Sequence, residues 1–409
     1  MVVKRHVFFI AGFDPYDIAG QYRRFRREAA TFQSTWKVTA TVSDLKQVDD
    51  VTGHWIVSAR GPNWATESIY EPLAWHDIVV ADTAGSMLQR LRDGAATLWD
   101  FIKSGTATRY FRSNWRYALF FLVPFANVVL FAAIGIAVGY LLAVRLPIAP
   151  VFAALVGLAV ALALFPLLLW WPGRRWRVRQ GLADWITPRK YMYGRHRDME
   201  ARIDAFTERL RACLRRGEAD EILVIGHSLG AILAVDVLAR ALASDPQLGR
   251  RGPAVNLLTI GATIPKLTLH PAASRLRACA ERVAAEESIN WGEFQTRKDP
   301  ISFFSYDPVR LRPFEDNTGS KPHIRLINFW DLLEPAKMRR INMDFMRIHY
   351  QFVMAAQRRA VYDFFMLVCG PAPLADTIWA PGGSAELIGE DGRYLEAPAP
   401  AHRMATDVS

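Results

Sequence analysis

Apolar positions along the chain follow two patterns. Short runs that are continuously apolar, or that alternate with polar residues, predict strands. Longer segments with apolar residues every three or four positions predict helices. The predicted strands are 6–10, 37–42, 55–59, 77–81, 221–225, 255–260, 289–294 and 323–329, and the predicted helices are 18–33, 88–102, 197–216, 231–242, 272–286 and 353–368. Because strands alternate with helices, we expect an α/β fold with a mostly parallel sheet flanked by helices.

The most apolar segment of the chain extends from Tyr117 to Gly173 and contains one charged residue, Arg145. Each half is longer than the ~20 residues that a helix needs to cross the hydrocarbon of a bilayer. Pro147 lies just after Arg145 and favours a reversal there, because proline tolerates a helix start but resists continuation. The segment therefore predicts an antiparallel transmembrane helical hairpin, with a re-entrant hairpin that does not cross the membrane as the alternative.

The distribution of charge along the chain indicates that the hairpin lies beside anionic lipid headgroups. The formal net charge is +10, but its excess flanks the apolar segment and no nucleic-acid-binding motif accompanies it. Basic residues beside an apolar span indicate the cytoplasmic side and contacts with anionic lipid headgroups. The two basic clusters are Arg109, Arg112 and Arg116 before the span, and Arg174, Arg175, Arg177 and Arg179 after it.

The cysteines and the N-terminus indicate the compartment. The three cysteines match neither a disulfide framework nor metal-ligand spacing, which fits a reducing environment. The N-terminus lacks the apolar region and cleavage site of a signal peptide. We therefore expect a membrane protein of a bacterial-type inner membrane whose remaining domain faces the cytoplasm.

The pentapeptide Gly226-His227-Ser228-Leu229-Gly230 carries the strongest chemical signal. It lies between a predicted strand and a predicted helix, which is the context that a Gly-x-Ser-x-Gly nucleophile elbow requires. The sharp turn exposes the Ser228 hydroxyl, and the flanking glycines let neighbouring backbone approach. The amide of Leu229, at a helix N-terminus, can face a developing oxyanion. A tight-packing turn without chemistry is the alternative interpretation, and His227 is expected to pack or hydrogen-bond.

These features resemble the α/β-hydrolase superfamily, in particular a membrane-anchored bacterial serine esterase or lipase-like member. The resemblance covers most of the chain outside the hairpin and the C-terminal tail. It implies the chain order nucleophile, acid, histidine. It also implies a second oxyanion amide in the loop after the first strand, around Phe13; this chain has Ala11-Gly12 where the family often has His-Gly.

The histidine and the acid are sought downstream of Ser228, because a nucleophilic serine needs a base and an acid that fixes the imidazole. His349 follows the last predicted strand and precedes the last predicted helix, where the family's catalytic histidine falls. His270 comes too early for the family order, and His323 would begin a strand. Asp299 follows the strand at 289–294, in a pattern that looks like the family's acid-bearing loop. The competing acids are Asp331 and Asp307.

The domain organisation follows from the hairpin insertion. Residues 1–110 are expected to form the N-terminal part of the α/β-hydrolase domain, 111–180 the inserted hairpin, and 181–369 the C-terminal part with the catalytic triad. From 370 onward proline, glycine and alanine dominate, so 370–409 are expected to form a poorly ordered tail.

The expected function is that of a membrane-anchored serine hydrolase that cleaves carboxylic esters, lipid or acyl esters among them. An acyltransferase or thioesterase on the same fold and a non-catalytic membrane scaffold are the alternatives. The expected partners are membrane lipids and an ester or acyl substrate, not nucleic acid. No metal cluster, phosphate loop or dinucleotide fingerprint is visible, so no cofactor is expected. The sequence does not indicate an oligomeric state.

Overall fold

The computed structural model of the protein describes residues 1–317 and 321–395. The chain forms two compact units. One, the hairpin unit, comprises Val80–Arg195; the other, the sheet unit, comprises Met1–Val79 and the chain from His196 onward. The two predicted parts on either side of the hairpin thus fold together into one unit.

The strands belong to the sheet unit. They are β1 (Lys4–Ile10), β2 (Thr39–Val42), β3 (Lys46–Gln47), β4 (Gly53–Gly61), β5 (Trp64–Pro72), β6 (Glu221–His227), β7 (Ala254–Ile260), β8 (Ile289–Thr296), β9 (Tyr306–Asp307), β10 (Arg312–Pro313) and β11 (His323–Ile327). The main sheet has the order β11-β8-β7-β6-β1-β5-β4-β2, with β3 paired to β4, while β9 and β10 form a separate pair. The six strands from β11 to β5 are parallel, and β4, β2 and β3 complete an antiparallel edge. The predicted α/β class with a mostly parallel sheet is confirmed.

The helices flank this sheet and build the hairpin unit. They are α1 (Ile18–Trp36), α2 (His76–Ala84), α3 (Met87–Lys103), α4 (Thr106–Ser113), α5 (Trp115–Ala143), α6 (Pro150–Trp170), α7 (Pro172–Arg175), α8 (Val178–Met192), α9 (Arg197–Arg216), α10 (Gly230–Ser244), α11 (Ile264–Thr268), α12 (Ser274–Ala285), α13 (Phe329–Leu332), α14 (Pro335–Ile341), α15 (Phe345–Tyr350), α16 (Phe364–Cys369), α17 (Leu374–Trp379) and α18 (Ser384–Leu387). A 3-10 turn at Gln351–Val353 follows α15. The helices α3 to α8 lie in the hairpin unit.

The parallel strands are buried because helices cover both faces of the sheet. Val7 and Phe9 of β1, with Leu223 and Ile225 of β6, belong to one core cluster with residues of α1 and α16. The alternate residues point to the opposite face, as the two-residue period of a strand requires. Helix α10 packs on β1, β6 and β7 and contacts α9 and α12. Every residue of β6 is buried, which fixes the position of the strand that precedes Ser228.

The strand predicted at 77–81 is wrong: this segment lies in helix α2. A run of four or five apolar residues does not distinguish a strand from a helix by periodicity. The longest strand that the sequence missed is β5, which pairs in parallel with β1 and forms a hairpin with β4; the two-residue strands β3, β9 and β10 were also not predicted. The inward positions of β5 include Thr66 and Ser68, and these buried polar side chains weaken the hydrophobic alternation.

The helix predicted at 353–368 forms only at its C-terminal end, as α16. The chain before it is irregular and is organised by the buried carboxylate of Asp363. This carboxylate accepts hydrogen bonds from Trp36 Nε1 and from the amides of Ala356 and Met366, each at 3.0 Å. Burial raises the pKa of Asp363. A long-range polar contact therefore replaces the helix that the local pattern predicted.

The tail predicted to be poorly ordered from 370 is instead packed on the sheet unit through residue 395; residues 396–409 lie outside the described residues. Leu374, Ile378 and Leu387 are buried. The buried Arg5 donates hydrogen bonds to the carbonyl oxygens of Val368, Gly370 and Ala372 at 3.1, 2.8 and 2.7 Å. Arginine with five donors suits a segment rich in proline and glycine, whose carbonyls lack helical partners.

Arg5 also forms a buried ion pair with Glu221, at 2.6 Å. We expect Arg5→Ala to lower the free energy of unfolding by about 3–5 kcal/mol, because it leaves a buried carboxylate without its cation. Arg27→Ala is the matched control: its ion pair with Glu28 is exposed on the arginine side, and it is expected to cost less than about 1 kcal/mol. Denaturant unfolding of the detergent-solubilised protein, followed by tryptophan fluorescence, measures both. Equal stabilities of the two variants would contradict this role.

The hairpin unit contains two helices that are long and apolar enough to cross a membrane. They are Trp115–Ala143, with mean hydropathy 2.5, and Pro150–Arg175, with mean hydropathy 2.7. Only 28% and 11% of their most apolar windows are buried inside the protein. The core helix of a soluble protein would be mostly buried, so the exposed apolar surface favours a membrane environment.

Small residues hold α5 and α6 together. A Cβ on Gly157 would lie 2.6 Å from the carbonyl oxygen of Gly139, and one on Gly135 would lie 3.1 Å from the oxygen of Ala161. The same antiparallel register brings Trp170, the end of α6, to the level of Ala126. The 21 residues of α6 span about 32 Å at 1.5 Å per residue, which matches the ~30 Å of hydrocarbon in a bilayer.

The hairpin unit is larger than the predicted insertion at 111–180. An aromatic cluster joins α3, α4, α5 and α8: Phe121 lies 5.7, 5.5 and 4.6 Å, between ring centroids, from Phe101, Tyr110 and Trp185. The helices on both sides of the hairpin are therefore part of its core, which extends the unit to Val80–Arg195. The sequence boundary was too narrow because it followed hydropathy alone.

We expect Gly139→Leu to destabilise the hairpin, since its side chain would meet the backbone of Gly157. Overpacking of this kind costs about 1–3 kcal/mol or more. Ala137→Leu introduces the same side chain on the exposed side of α5 and is the control. Thermal loss of helical circular dichroism in lipid nanodiscs measures the effect. An unchanged midpoint for Gly139→Leu would show that the two limbs do not pack as described.

Candidate functional site

Ser228 stands in a strained turn between β6 and α10. Its φ is +57°, a left-handed conformation that is uncommon for a serine. Its amide donates to the carbonyl oxygen of Ile260 at 3.1 Å, and its own carbonyl oxygen accepts from the amides of Ala231 and Thr263, each at 3.2 Å. These bonds hold a conformation that costs of order 1–3 kcal/mol, and they leave the half-buried side chain free of the backbone network.

Glycines let the backbone close around this turn. A Cβ on Gly230 would meet the carbonyl oxygens of Ile10 and Ala11, and one on Gly226 would meet the backbone of Ala231. Gly12, in the loop after β1, approaches Ser228 itself: a Cβ on Gly12 would lie 2.7 Å from the Cβ of Ser228. The loop after the first strand therefore passes directly beside Ser228, which explains why all three positions are glycine.

Two backbone amides beside Ser228 are available to a ligand. Within residues 1–317 and 321–395, neither the amide of Leu229 nor that of Phe13 donates a hydrogen bond. Leu229 immediately precedes α10, so its amide lies at the positive end of the helix dipole. The loop that carries Phe13 is fixed by Trp75, whose Nε1 donates to the carbonyl oxygen of Ala11 at 2.9 Å. Two unused amides flanking a serine can bind an oxyanion.

His349 and Asp299 form a buried pair. His349 Nδ1 and Asp299 Oδ2 are 2.7 Å apart, and the residues are 4% and 2% exposed. The other oxygen of Asp299 accepts from the amide of Ile301 at 2.9 Å. A carboxylate in this position selects the imidazole tautomer with the proton on Nδ1. Nε2 of His349 is buried and has no hydrogen-bond partner in the part of the chain that the structure describes.

The parallel sheet brings these residues to one edge. Ser228, Asp299 and His349 follow β6, β8 and β11, whose carboxyl ends lie on the same side of the sheet because the strands are parallel. The end of β7 links them: Ile260 binds the Ser228 amide, and a Cβ on the next residue, Gly261, would lie 3.3 Å from His349 Cε1.

The competing residues lie elsewhere. Asp331 is exposed in α13, and the carboxylate of Asp307 accepts from the amides of the two residues beyond Pro308, each at 2.9 Å. His270 Nδ1 accepts from the amide of Ala272 at 3.1 Å, and the ring of His323 contacts that of Trp379 at a tilt, with 4.1 Å between centroids. The structure therefore brings Asp299, and not these two acids, to His349.

His227 supports the histidine loop. Its ring lies 4.6 Å from that of His349, and its Nε2 is 3.2 Å from the carbonyl oxygen of His349. Burial, with the neighbouring imidazole, lowers the pKa of His227 well below its usual value. A neutral His227 donates its proton to that carbonyl oxygen and holds the loop in place, which is the packing and hydrogen-bonding role expected of it.

A contact that the sequence did not reveal joins the two loops beside Ser228. The hydroxyl of Tyr350 donates to the carboxylate of Asp14. Asp14 is next to Phe13, and Tyr350 is next to His349. The bond therefore fixes the loop that carries the Phe13 amide relative to the loop that carries the His349 imidazole. Burial and the Asp14 carboxylate raise the pKa of Tyr350, which remains a donor. The partners are 336 positions apart, and their adjacency to the candidate residues is the one sequence signal.

The structure also bears on metal binding. Among residues 1–317 and 321–395, no group of three or more His, Cys, Asp or Glu side chains is arranged to hold a metal ion. The chemistry available beside Ser228 is that of a hydroxyl, an imidazole, a carboxylate and two amides.

No protein-family model, curated protein or solved structure matches the chain. The function is therefore inferred from the residues around Ser228 and from the membrane character of the hairpin unit.

Proposed function

We propose that this protein is a membrane-anchored serine hydrolase of the α/β-hydrolase superfamily that cleaves carboxylic esters. Ser228 is the nucleophile, His349 is the general base and Asp299 orients His349. The observation that carries the proposal is Ser228 at a φ of +57° between a strand and a helix, on the same sheet edge as a buried His349–Asp299 pair. A strained serine with an oriented imidazole nearby is the arrangement that nucleophilic catalysis needs.

The order of the residues supports the superfamily. The nucleophile follows β6, in the middle of the parallel strands, and the acid and the histidine follow β8 and β11. This is the nucleophile, acid, histidine order of α/β-hydrolases. The loop after β1, which contacts Ser228 through Gly12, supplies the second amide that the resemblance implies at Phe13.

The residues perform acyl transfer in two steps. Ser228 Oγ attacks the ester carbonyl carbon while His349 Nε2 takes its proton, and the amides of Leu229 and Phe13 stabilise the oxyanion. The imidazolium then gives this proton to the departing alkoxide, which leaves an acyl-serine. Water, deprotonated by His349, attacks the acyl carbon and releases the carboxylic acid and free Ser228. Asp299 stabilises the imidazolium in both steps without taking a proton.

The proposed location is the membrane, with the sheet unit on the cytoplasmic side. The two apolar helices support insertion, and the basic clusters at their outer ends support the orientation through the positive-inside rule. An enzyme held at a bilayer meets lipids at high local concentration, so lipid or long-chain acyl esters are the proposed substrates and membrane lipids the proposed partners.

Burst kinetics with the full-length protein in nanodiscs test this proposal. With p-nitrophenyl esters of increasing acyl length, an acyl-enzyme mechanism releases a burst of p-nitrophenol in proportion to the enzyme concentration, followed by slower turnover. A burst that is absent in Ser228→Ala supports the acyl-serine. Turnover of equal rate in the two proteins would contradict it.

A further inference from the structure

The net charge of the chain resides in the hairpin unit. Between residues 80 and 195 there are fourteen Lys and Arg and four Asp and Glu, a formal charge of +10, which equals that of the whole chain. The rest of the sequence is formally neutral. Because membranes with anionic lipids attract basic segments near their surface, this distribution singles out the hairpin unit as the part that meets negative charge.

Helix α3 of this unit has its apolar stripe on the outside. Its buried face consists of Arg90, Gly94, Thr97 and Phe101. Leu88, Trp99 and Ile102 share another face and are 80%, 65% and 50% exposed. The spacing of these three places them within an arc of about 60° on a helical wheel. Leu91 and Leu98, which form the predicted apolar pattern together with Leu88 and Ile102, are half-buried, so that pattern packs on one side only and its outer edge is exposed.

A third face of α3 is mostly polar and also exposed. Gln89, Arg92, Ala96 and Lys103 are exposed and lie to one side of the apolar stripe. A helix with an inward face, an outward apolar stripe and a separate polar flank is suited to lie in a membrane interface. Its apolar side then meets acyl chains while its polar side meets water.

The position of α3 along the hairpin supports this. A Cβ on Gly94 would lie 3.2 Å from Leu182 of α8 and 3.9 Å from Phe125 of α5. Phe125 is at the level where α6 ends, since the register of the hairpin brings Ala126 opposite Trp170. Three tryptophans around this end of α6, Trp170, Trp171 and Trp176, are 67%, 74% and 50% exposed. Exposed tryptophans mark the headgroup level of a membrane protein.

We propose that α3 is an interfacial helix whose stripe of Leu88, Trp99 and Ile102 lies in the headgroup layer of an anionic leaflet, with the arginines beside the hairpin binding the lipid phosphates. A second copy of the chain does not fit this surface as well, because it would bring two units of charge +10 together. The inference rests on the membrane anchoring proposed above, and it is independent of the chemistry at Ser228.

Spin labels along α3 test the depth of this helix. Single cysteines replace Leu88, Trp99 and Ile102, with Gln89→Cys and Ala96→Cys as exposed controls on the polar flank. The full-length protein, with Cys279 replaced by serine, is placed in nanodiscs of phosphatidylglycerol and phosphatidylcholine. Unlabelled protein serves as the blank, because Cys213 and Cys369 are buried. We expect the ratio of oxygen to nickel-chelate collision rates to be several-fold higher at the stripe than at the controls.

The other possible outcomes of this experiment distinguish a failure of the membrane anchoring from a failure of the interfacial helix. A label at Val138, 42% exposed on the apolar limb, reports the anchoring itself. If it is water-accessible, the hairpin is not in the membrane. If it is in lipid while all α3 labels are equally water-accessible, only the interfacial helix is refuted. The stripe labels could instead be shielded from both relaxing agents and show spin–spin broadening between chains. That result would mean that a second copy of the chain, and not lipid, covers the stripe.

The amount of anionic lipid that co-purifies with the protein tests whether the basic residues beside the hairpin bind lipid phosphates. We expect protein extracted from a mixed bilayer of equal phosphatidylglycerol and phosphatidylcholine to retain about fivefold more of the anionic lipid, since each basic residue near the surface contributes about 1 kcal/mol. Replacing Arg174, Arg175, Arg177 and Arg179 by glutamine is expected to abolish this enrichment. Replacing Arg23 and Arg26, exposed in the sheet unit, is the control and leaves it unchanged. Equal retention of both lipids by the wild type would refute an anionic partner.

Discussion

Replacement of Ser228 by alanine is expected to lower the rate of ester hydrolysis by about 10⁶-fold, the loss seen when a catalytic serine is removed from a complete triad. The structure gives the reason: Ser228 carries the hydroxyl of the turn between β6 and α10. Among residues 1–317 and 321–395, nothing accepts a hydrogen bond from the amide of Leu229 or from that of Phe13 in the neighbouring loop. The comparison of kcat/KM for the two purified proteins, in the same nanodiscs and with the same ester, measures the loss.

Alanine is the appropriate replacement because it keeps the Cβ at a φ of +57°. The strain of the turn and the contact with Gly12 are therefore nearly equal in the two proteins, and the variant is expected to unfold within about 1 kcal/mol of the wild type. Ser228→Gly removes that strain and serves as a second inactive variant with a relaxed turn. Substantial hydrolysis by both variants would assign the activity to a different residue.

Asp299→Asn is expected to lower kcat by about 10⁴-fold, through the tautomer of His349. Asparagine can keep the hydrogen bond from the Ile301 amide with its oxygen, and it then presents its NH₂ group to His349 Nδ1. Nδ1 must accept, so the proton moves to Nε2, which can no longer take a proton from Ser228. A kcat loss with a nearly unchanged KM distinguishes this effect from a loss of substrate binding.

The matched control is Asp331→Asn, the other acid that the sequence left open. Asp331 is exposed in α13 and does not contact His349, so we expect a change of less than about twofold. Equal kcat losses in the two variants, or a loss confined to Asp331→Asn, would contradict the assignment of Asp299. Circular dichroism of both proteins checks that the fold persists.

The sequence predicts elements well where local signals agree with each other. Helix α9 begins and ends as predicted because a long amphipathic repeat ends at Gly217, whose φ of +64° suits a glycine cap. The strand before Ser228 is predicted because its central residues, Ile222 to Ile225, form a continuous apolar run and are all buried. In both cases the segment's own residues carry the information.

Elements that depend on distant partners are missed. The irregular chain before α16 is held by Asp363, and the segment after it by Arg5, more than 350 positions earlier. No local pattern encodes such contacts. Strand β5 was missed for a related reason: its buried Thr66 and Ser68 bind or pack against residues from other parts of the chain.

The same division holds for the candidate site. Ser228 is recognisable from five consecutive residues and their setting. The choice between Asp299 and Asp331 is not, because both follow strands and only the folded chain brings one of them to within 2.7 Å of His349. The bond between Tyr350 and Asp14 has no sequence signal beyond the adjacency of its partners to His349 and Phe13. A residue in a turn is thus predictable from its neighbours, whereas Asp299 and His349 are selected by resemblance to a family, and only the folded chain shows that they meet.

The measurement that tests the central claim most directly is labelling of the wild-type protein in isolated membranes with a fluorophosphonate, followed by mass spectrometry of the labelled peptide. Fluorophosphonates react with serines that an adjacent base activates. We predict a single adduct, on Ser228, that disappears when the membranes are heated before labelling. A folded protein that does not react, or an adduct on another serine, would contradict an activated nucleophile at this turn.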